Sequence, residues 1–356
     1  MDITQEQLRR HRLAQSGLLS PFATPEDCAR NLVGIQAQIT QAAALAIANR
    51  VRGFSYAQYK RLLYDERSLV RTWGQRKTVH VYESADWGNI TDLMRVRYSW
   101  AHSGYIKEGG TEAEFEAFVA KLVQFLSSGR TYSRDAISDH IGVKLSSWGG
   151  FMIDAAFRGL LCDSGGNQFA HGSGWNPAAG IATSEIPEAR RNLVRRYLHT
   201  YGPASHSDIA KWLDESAEEV KAALWDLDTV PVSCEGKRLL LLRSDLDTLK
   251  ANTEPHDDLP VLLLYRFDPL LLAYKDKNWI VPAIHQKKVW AIAGHVNGVV
   301  LINGMARGTW KYVRKGGRFQ IETEPFTGRG LGTVARKTIA RHEKFLAEFF
   351  RDGDDE

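Results

Sequence analysis

The sequence predicts an α+β protein: three tandem winged-helix (helix-turn-helix) units, then a small antiparallel β-sheet or partly closed barrel and a C-terminal helix. Two observations predict it. An order of helix, helix, helix, hairpin recurs along the first two-thirds of the chain. After a polar, proline-containing stretch at 252–260, the apolar residues take up the two-residue period of strands. The segments read as 1–110, 111–184, 185–258 and 259–356, and 356 residues suffice for several cores.

In the first unit, Thr24-Pro25-Glu26-Asp27 opens a helix with a hydroxyl cap, a proline and two carboxylates at the positive dipole end. Cys28, Leu32 and Ile35 continue its inward face, which brings Gln36-Ala37-Gln38 to the helix end. Residues 70–82 supply the wing strands. The second unit starts with a helix over 112–128, carrying Phe115, Phe118, Val119, Leu122 and Phe125 on one side. Ser133 caps a short helix over 134–140, Gly142 turns the chain, and a third helix spans about 146–158 before a strand-like tail ending near Phe169. The third unit repeats the plan. A helix over 187–199 breaks at Gly202-Pro203, a second covers 207–213, Ser216 caps a third running to Leu227, and two strands flank Glu235-Gly236. Strands over 261–265, 289–293, 299–302, 308–314 and 318–323 follow, with Asn297-Gly298, Asn303-Gly304 and Gly316-Gly317 as turns and a basic helix over 334–350.

Composition narrows the function classes. No apolar run reaches membrane-spanning length, and Arg9, Arg10 and Arg12 precede no apolar stretch of a secretory signal. Cys28, Cys162 and Cys234 are odd in number and far apart, which argues against a disulfide framework and for a reducing cytoplasm. None of the 11 histidines falls in a metal-ligand spacing, so neither metal nor cofactor is expected. The net charge of +4 is unevenly spread. Residues 301–344 carry ten Lys or Arg against Glu322, Glu324 and Glu343, whereas residues 183–260 carry ten against fifteen acids. A chain so divided can bind a polyanion on one surface only, although solvated charge gives the same totals.

The Gln36-Ala37-Gln38 pair is the most informative motif. Residues two apart on a helix point about 200° apart, so both amides share a face only where the helix ends or distorts, and Gly34 makes that easy. One reading has a glutamine capping backbone groups and the other solvated. The second has both orienting a water or a polar ring edge. Downstream, residues 71–82 alternate as a strand from Thr78 onward, with Arg71, Arg76 and Lys77 crowding charge around Trp73.

With Leu8-Arg9-Arg10-His11-Arg12-Leu13, the glutamine pair, Arg71-Thr72-Trp73 and Arg76-Lys77-Thr78-Val79-His80, the chain resembles the bacterial winged-helix DNA glycosylases of the AlkZ and YcaQ group. Tyr201-Gly202-Pro203-Ala204, Phe267-Asp268-Pro269-Leu270 and Gly308-Thr309-Trp310 extend the resemblance over nearly the whole chain. It implies excision of alkylated purines from double-stranded DNA, including bases alkylated in interstrand crosslinks, by a monomer. Gln36 and Gln38 would be the catalytic residues, and Gln38 places the chain nearer the AlkZ branch, since some relatives have Asp there. Two departures stand out: Lys77 where relatives typically have Gly, and Val79 for a usual Leu. Lys77 reads as a phosphate contact, with a Schiff-base role open; Asp65 and Glu66 read as surface residues.

The third helices suit a groove reader poorly, being apolar around Ser146-Ser147-Trp148 and acidic around Glu218 and Glu219. The winged-helix units therefore read as scaffold. DNA contacts are expected from Arg71, Trp73, Arg76, Lys77 and His80, from the cluster of Arg190, Arg191, Arg195 and Arg196, and from a basic hairpin with Lys311, Arg314, Lys315 and Arg318. A solvated helix face and a charged sheet edge are the plainer readings of the last two. A non-catalytic DNA-binding regulator or damage-sequestering factor, and a relative that kept only the fold, are the competing functions.

Overall fold

In the computed structural model, which describes residues 1–145, 149–253 and 258–351, the chain packs as two compact units. One comprises Met1–Tyr59 with Val194–Glu356 and the other Lys60–Leu193, so the segment 1–110 contributes to both.

In the first unit, Thr24 accepts the Asp27 amide at 3.0 Å and caps the helix Pro25–Asn31, with Pro25 in its first turn. This helix ends earlier than its apolar spacing predicts. Val33 (φ 55°) and Gly34 (φ 86°) are both left-handed, and Gly34 N–H closes the helix end on Ala29 O at 3.0 Å. A left-handed glycine is an ordinary helix terminator, whereas a β-branched residue beside it is strained. Complete burial of Leu32, Val33 and Ile35 offsets that strain. The chain then runs extended through Ile35–Gln36 and enters the helix Thr40–Ala48. Gln36 thus lies on a short strand and Gln38 in the bend that follows it, and neither is on a helix.

The helix Ile186–Tyr201 leads into the predicted third winged-helix segment. There, Ser216 caps the helix Ala217–Trp225, as expected, and Ser205 caps the helix His206–Leu213, which starts one residue earlier than expected. Strands Thr229–Cys234 and Lys237–Leu242 pair antiparallel, and Asp2–Ile3 adds a parallel edge. Ala204 bonds Leu240 in both directions at 2.8 and 2.9 Å, the position of the short first strand of a winged helix. The C-terminal sheet is an open antiparallel meander of Leu262–Leu264, Gly298–Ile302, Met305–Lys315 and Arg318–Pro325, followed by the helix Gly332–Phe349. It does not close into a barrel. The strand expected over 289–293 is absent: the helix Gln286–Val289 comes first and a single Trp290–Val296 bridge follows.

In the second unit, Leu69–Trp73 and Val79–Glu83 form the predicted hairpin. The helix Glu112–Leu126 opens on a Thr111–Glu114 capping box and buries Phe115, Val119, Leu122 and Leu126. Phe125 instead stacks between Tyr132 and His140, at 3.9 and 4.0 Å between ring centres. Tyr132–Ser133, Gln168–Ala170 and Cys162–Gly165 make a three-stranded sheet in that order, completing a winged-helix topology with the helices Arg134–Ile141 and Met152–Phe157. Ser146, Ser147 and Trp148, assigned to the start of the third helix, lie outside the described residues. All three cysteines are buried free thiols.

Candidate active site and nucleic-acid interface

Gln36 is buried, with 8% of its surface exposed, while Gln38 is exposed. Between them Ala37 is fully buried and pins the segment to the core. The strained turn at Val33 and Gly34 precedes the pair, and the helix Thr40–Ala48 follows it. Backbone strain of this kind persists only where packing over-determines it, and it concentrates at functional sites.

The residues after Gln38 form one wall of a groove of about 280 Å³. Ile39, Gln41 and Ala42 line that wall; Tyr265, Arg266, Trp310, Lys311 and Tyr312 line the other, at the foot of the basic hairpin. Tyr312 donates its hydroxyl to Gln41 Oε1 at 3.4 Å, and burial raises its phenol to about 12. Tyr265 and His342 Nε2 lie 2.5 Å apart, and burial holds that imidazole at about 4. Trp310 donates to Leu264 O at 2.9 Å. No carboxylate belongs to the lining among the described residues.

The sequence motifs around the groove have local causes. A side chain on Gly308 would place its Cβ 2.7 Å from Glu324 O, so glycine lets the strands meet beside Trp310. Asp268, in Phe267-Asp268-Pro269-Leu270, is fully buried and pairs bidentately with the equally buried Arg50 at 2.8 and 2.9 Å. Arg50 also donates to Ser16 O and Ala46 O, at 2.8 and 2.9 Å. Sequence reasoning misses this pair. Asp268 stands inside a family-like motif, whereas nothing around Arg50 marks it as the partner.

The basic hairpin forms as predicted. Arg314, Lys315 and Arg318 are exposed at its tip, with the Arg314 guanidinium 5.7 Å from the Phe319 ring centre. Lys311 and Lys315 share one carboxylate, Glu322, at 3.2 and 3.0 Å, so the face keeps positive charge. Exposed pairs of this kind are worth little and open readily.

In the second unit the Arg-Thr-Trp string is mostly internal. Trp73 is buried against Phe169, with ring centres 5.9 Å apart. Arg71 pairs with Asp163 at 2.8 Å, and Thr72 donates to Leu161 O at 2.8 Å. His80 is fully buried, its Nδ1 2.8 Å from Thr78 O and its Nε2 3.0 Å from Arg76. Burial and then the Arg76 charge hold it well below the usual histidine value. The surface left to the hairpin tip is Arg76 and Lys77, half-buried and exposed, both left-handed at φ 57°. Lys77 thus occupies the kind of backbone position that suits glycine. Arg190, Arg191 and Arg196 are half-buried along the helix Ile186–Tyr201, and Arg195 is exposed.

The third helices do not present base-reading side chains. Met152–Phe157 is wholly buried, and Ala217–Trp225 exposes Glu218, Lys221 and Trp225. Winged-helix scaffolding, a glutamine pair after a strained turn and an exposed basic hairpin are the features expected of a DNA-acting enzyme of the glycosylase class. Residues 29–349 match the AlkZ-like DNA glycosylase family, and the chain belongs to that family. It is 27% identical over 326 residues to an interstrand DNA cross-link repair glycosylase of Streptomyces sahachiroi, covering 84% of this chain and 85% of that one. The solved structure of Streptomyces sahachiroi DNA glycosylase AlkZ shares the fold, with a TM-score of 0.83 and 23% identity over 99% of this chain and 97% of that one.

Proposed function

We propose that this glycosylase excises cationic alkylated purines of the N7-alkylguanine type from duplex DNA, and that it opens interstrand crosslinks, as its Streptomyces relative is named for doing. The observation that carries the reading is the placement of Gln36 and Gln38, one buried on a short strand and one exposed in the bend after it. A guanine alkylated at ring nitrogen 7 already bears positive charge, so it departs without an acid to protonate it. What remains is to place a water and steady the developing sugar cation. Two oriented amides can do both, and neither needs to titrate. In this reading Gln36 fixes the water from the core side and Gln38 meets the sugar edge.

Arg76, Lys77, Arg190, Arg191, Lys311, Arg314, Lys315 and Arg318 act as phosphate contacts. Arg71, Trp73 and His80 act by holding the Arg76-Lys77 turn in place. Extrusion of the damaged base, which stacks and pairs less firmly than a normal one, is aided by the hairpin as a wedge. The enzyme works as a cytoplasmic monomer without a cofactor. The test is to incubate the protein with duplex carrying a defined N7-alkylguanine in the presence of chelator and to measure abasic sites. Their accumulation supports the proposal; an uncut duplex with well-folded protein overturns it.

A further inference from the structure

We propose that the groove at the foot of the basic hairpin holds one unpaired, undamaged nucleotide of DNA, its base on the aromatic wall and its phosphate on Arg266 and Lys311. The inference rests on the DNA-acting reading and adds a second nucleotide site to it. Tyr312, half-buried, lines the groove beside the buried Trp310, and its hydroxyl reaches Gln41 Oε1 at 3.4 Å. Such rings stack any base, because every base has a π-face. Arg266 is half-buried; one terminal guanidinium nitrogen lies 3.1 Å from His295 Nδ1, and its Nε has no hydrogen-bond partner among the described residues. A buried guanidinium N–H without an acceptor is costly, and a phosphate oxygen is the acceptor that matches it.

The two cations also determine which nucleotide fits. A base carrying fixed positive charge would meet Arg266 and Lys311 in a groove of about 280 Å³, with no carboxylate in its described lining. The cationic lesion is therefore disfavoured there. A neutral base with its anionic phosphate is favoured, as supplied by the neighbour or opposite partner of an extruded lesion.

The probe is a labelled single-stranded oligothymidylate, titrated against the protein at several salt concentrations. Wild type is expected to bind it, and Tyr312→Leu to weaken binding about tenfold, the usual worth of one stacked base. Tyr312→Phe, which keeps the ring, should retain affinity. Arg266→Gln should flatten the dependence of log affinity on log salt by about 0.7, one phosphate contact on a single strand. Wild type that ignores the oligonucleotide, or folded Tyr312→Leu and Arg266→Gln proteins that bind like wild type, would overturn the proposal. Equal losses for Phe and Leu at position 312 would also count against stacking. Failure of the glycosylase reading registers elsewhere, as wild-type protein that binds the strand yet leaves alkylated duplex uncut.

Discussion

Replacing Asp268 with Ala should be among the most destabilising single changes in the first unit. The carboxylate makes two charge-assisted bonds to Arg50 at 2.8 and 2.9 Å, and both side chains are entirely shielded from water. It also accepts the Leu270 amide at 3.0 Å, capping the short helix Pro269–Leu272. Removing it leaves the Arg50 charge in the core with only the carbonyls of Ser16 and Ala46 as acceptors. An uncompensated buried charge costs about 3–5 kcal/mol, and the missing cap adds about 1 kcal/mol. That is a large part of the roughly 5–15 kcal/mol that holds a domain together. Urea unfolding followed by circular dichroism reads the loss directly. The double variant Arg50→Met with Asp268→Leu removes both charges and should recover more than half of it, since apolar replacements of buried pairs are often neutral. A single variant within about 1 kcal/mol of wild type would refute the reasoning, as would a double variant less stable than either single one.

Four further outcomes are expected. Gln36→Ala and Gln38→Ala should each slow single-turnover excision about ten- to a thousand-fold with unchanged folding and DNA affinity; near-native rates make the pair structural. Replacing Arg314, Lys315 and Arg318 with Ala should weaken binding to all sequences alike and reduce the salt slope by about 0.9 for each phosphate no longer neutralised, measured by fluorescence titration; wild-type binding and cutting would leave these cations as protection for a sheet edge. Lys77→Gly should relieve left-handed strain of about 1 kcal/mol, partly offset by glycine's freedom in the unfolded chain, while lowering DNA affinity; a variant that gains no stability and keeps full affinity contradicts both halves. Burial holds His11 and His342 at about 4, against 6.5 in the unfolded chain, so stability is complete above pH 6.5 and falls as pH drops from 6.5 towards 4. Each contributes about 3 kcal/mol across that window. His342→Gln should flatten the decline, and an unchanged slope in acid denaturation would count against it.

The winged-helix plan was legible because its signals are local. Ser133 and Ser216 each cap the helix that their position announces, and Gly142 ends one in the left-handed conformation. The end of the helix before the glutamines was not legible. Cys28, Leu32 and Ile35 keep helical spacing, yet Val33 is driven left-handed by packing that sequence period does not encode. The stretch 289–293 misled for the opposite reason. Its Val, Trp and Ile suit a strand, but Val289 closes a helix and Ile292 stands 92% exposed. Apolar type alone cannot say which surface a residue will cover.

The motifs that identify the family divide into two physical kinds, and exposure separates them. Asp268, Gly308, Thr72, Trp73 and His80 are buried, and each has a packing or bonding cause within this fold. Their presence therefore argues for the scaffold and says nothing of chemistry. Gln38 and Lys77 are exposed polar residues on segments whose left-handed turns, at Val33 and at Arg76 and Lys77, work against stability. Strain retained beside exposed polar groups is the pattern expected where placement of a side chain outweighs folding. The two places to look for chemistry are therefore the turn before the glutamines and the tip of the Arg76-Lys77 hairpin. Excision activity should be more sensitive to changes there than to changes anywhere in the buried motifs that leave the protein folded.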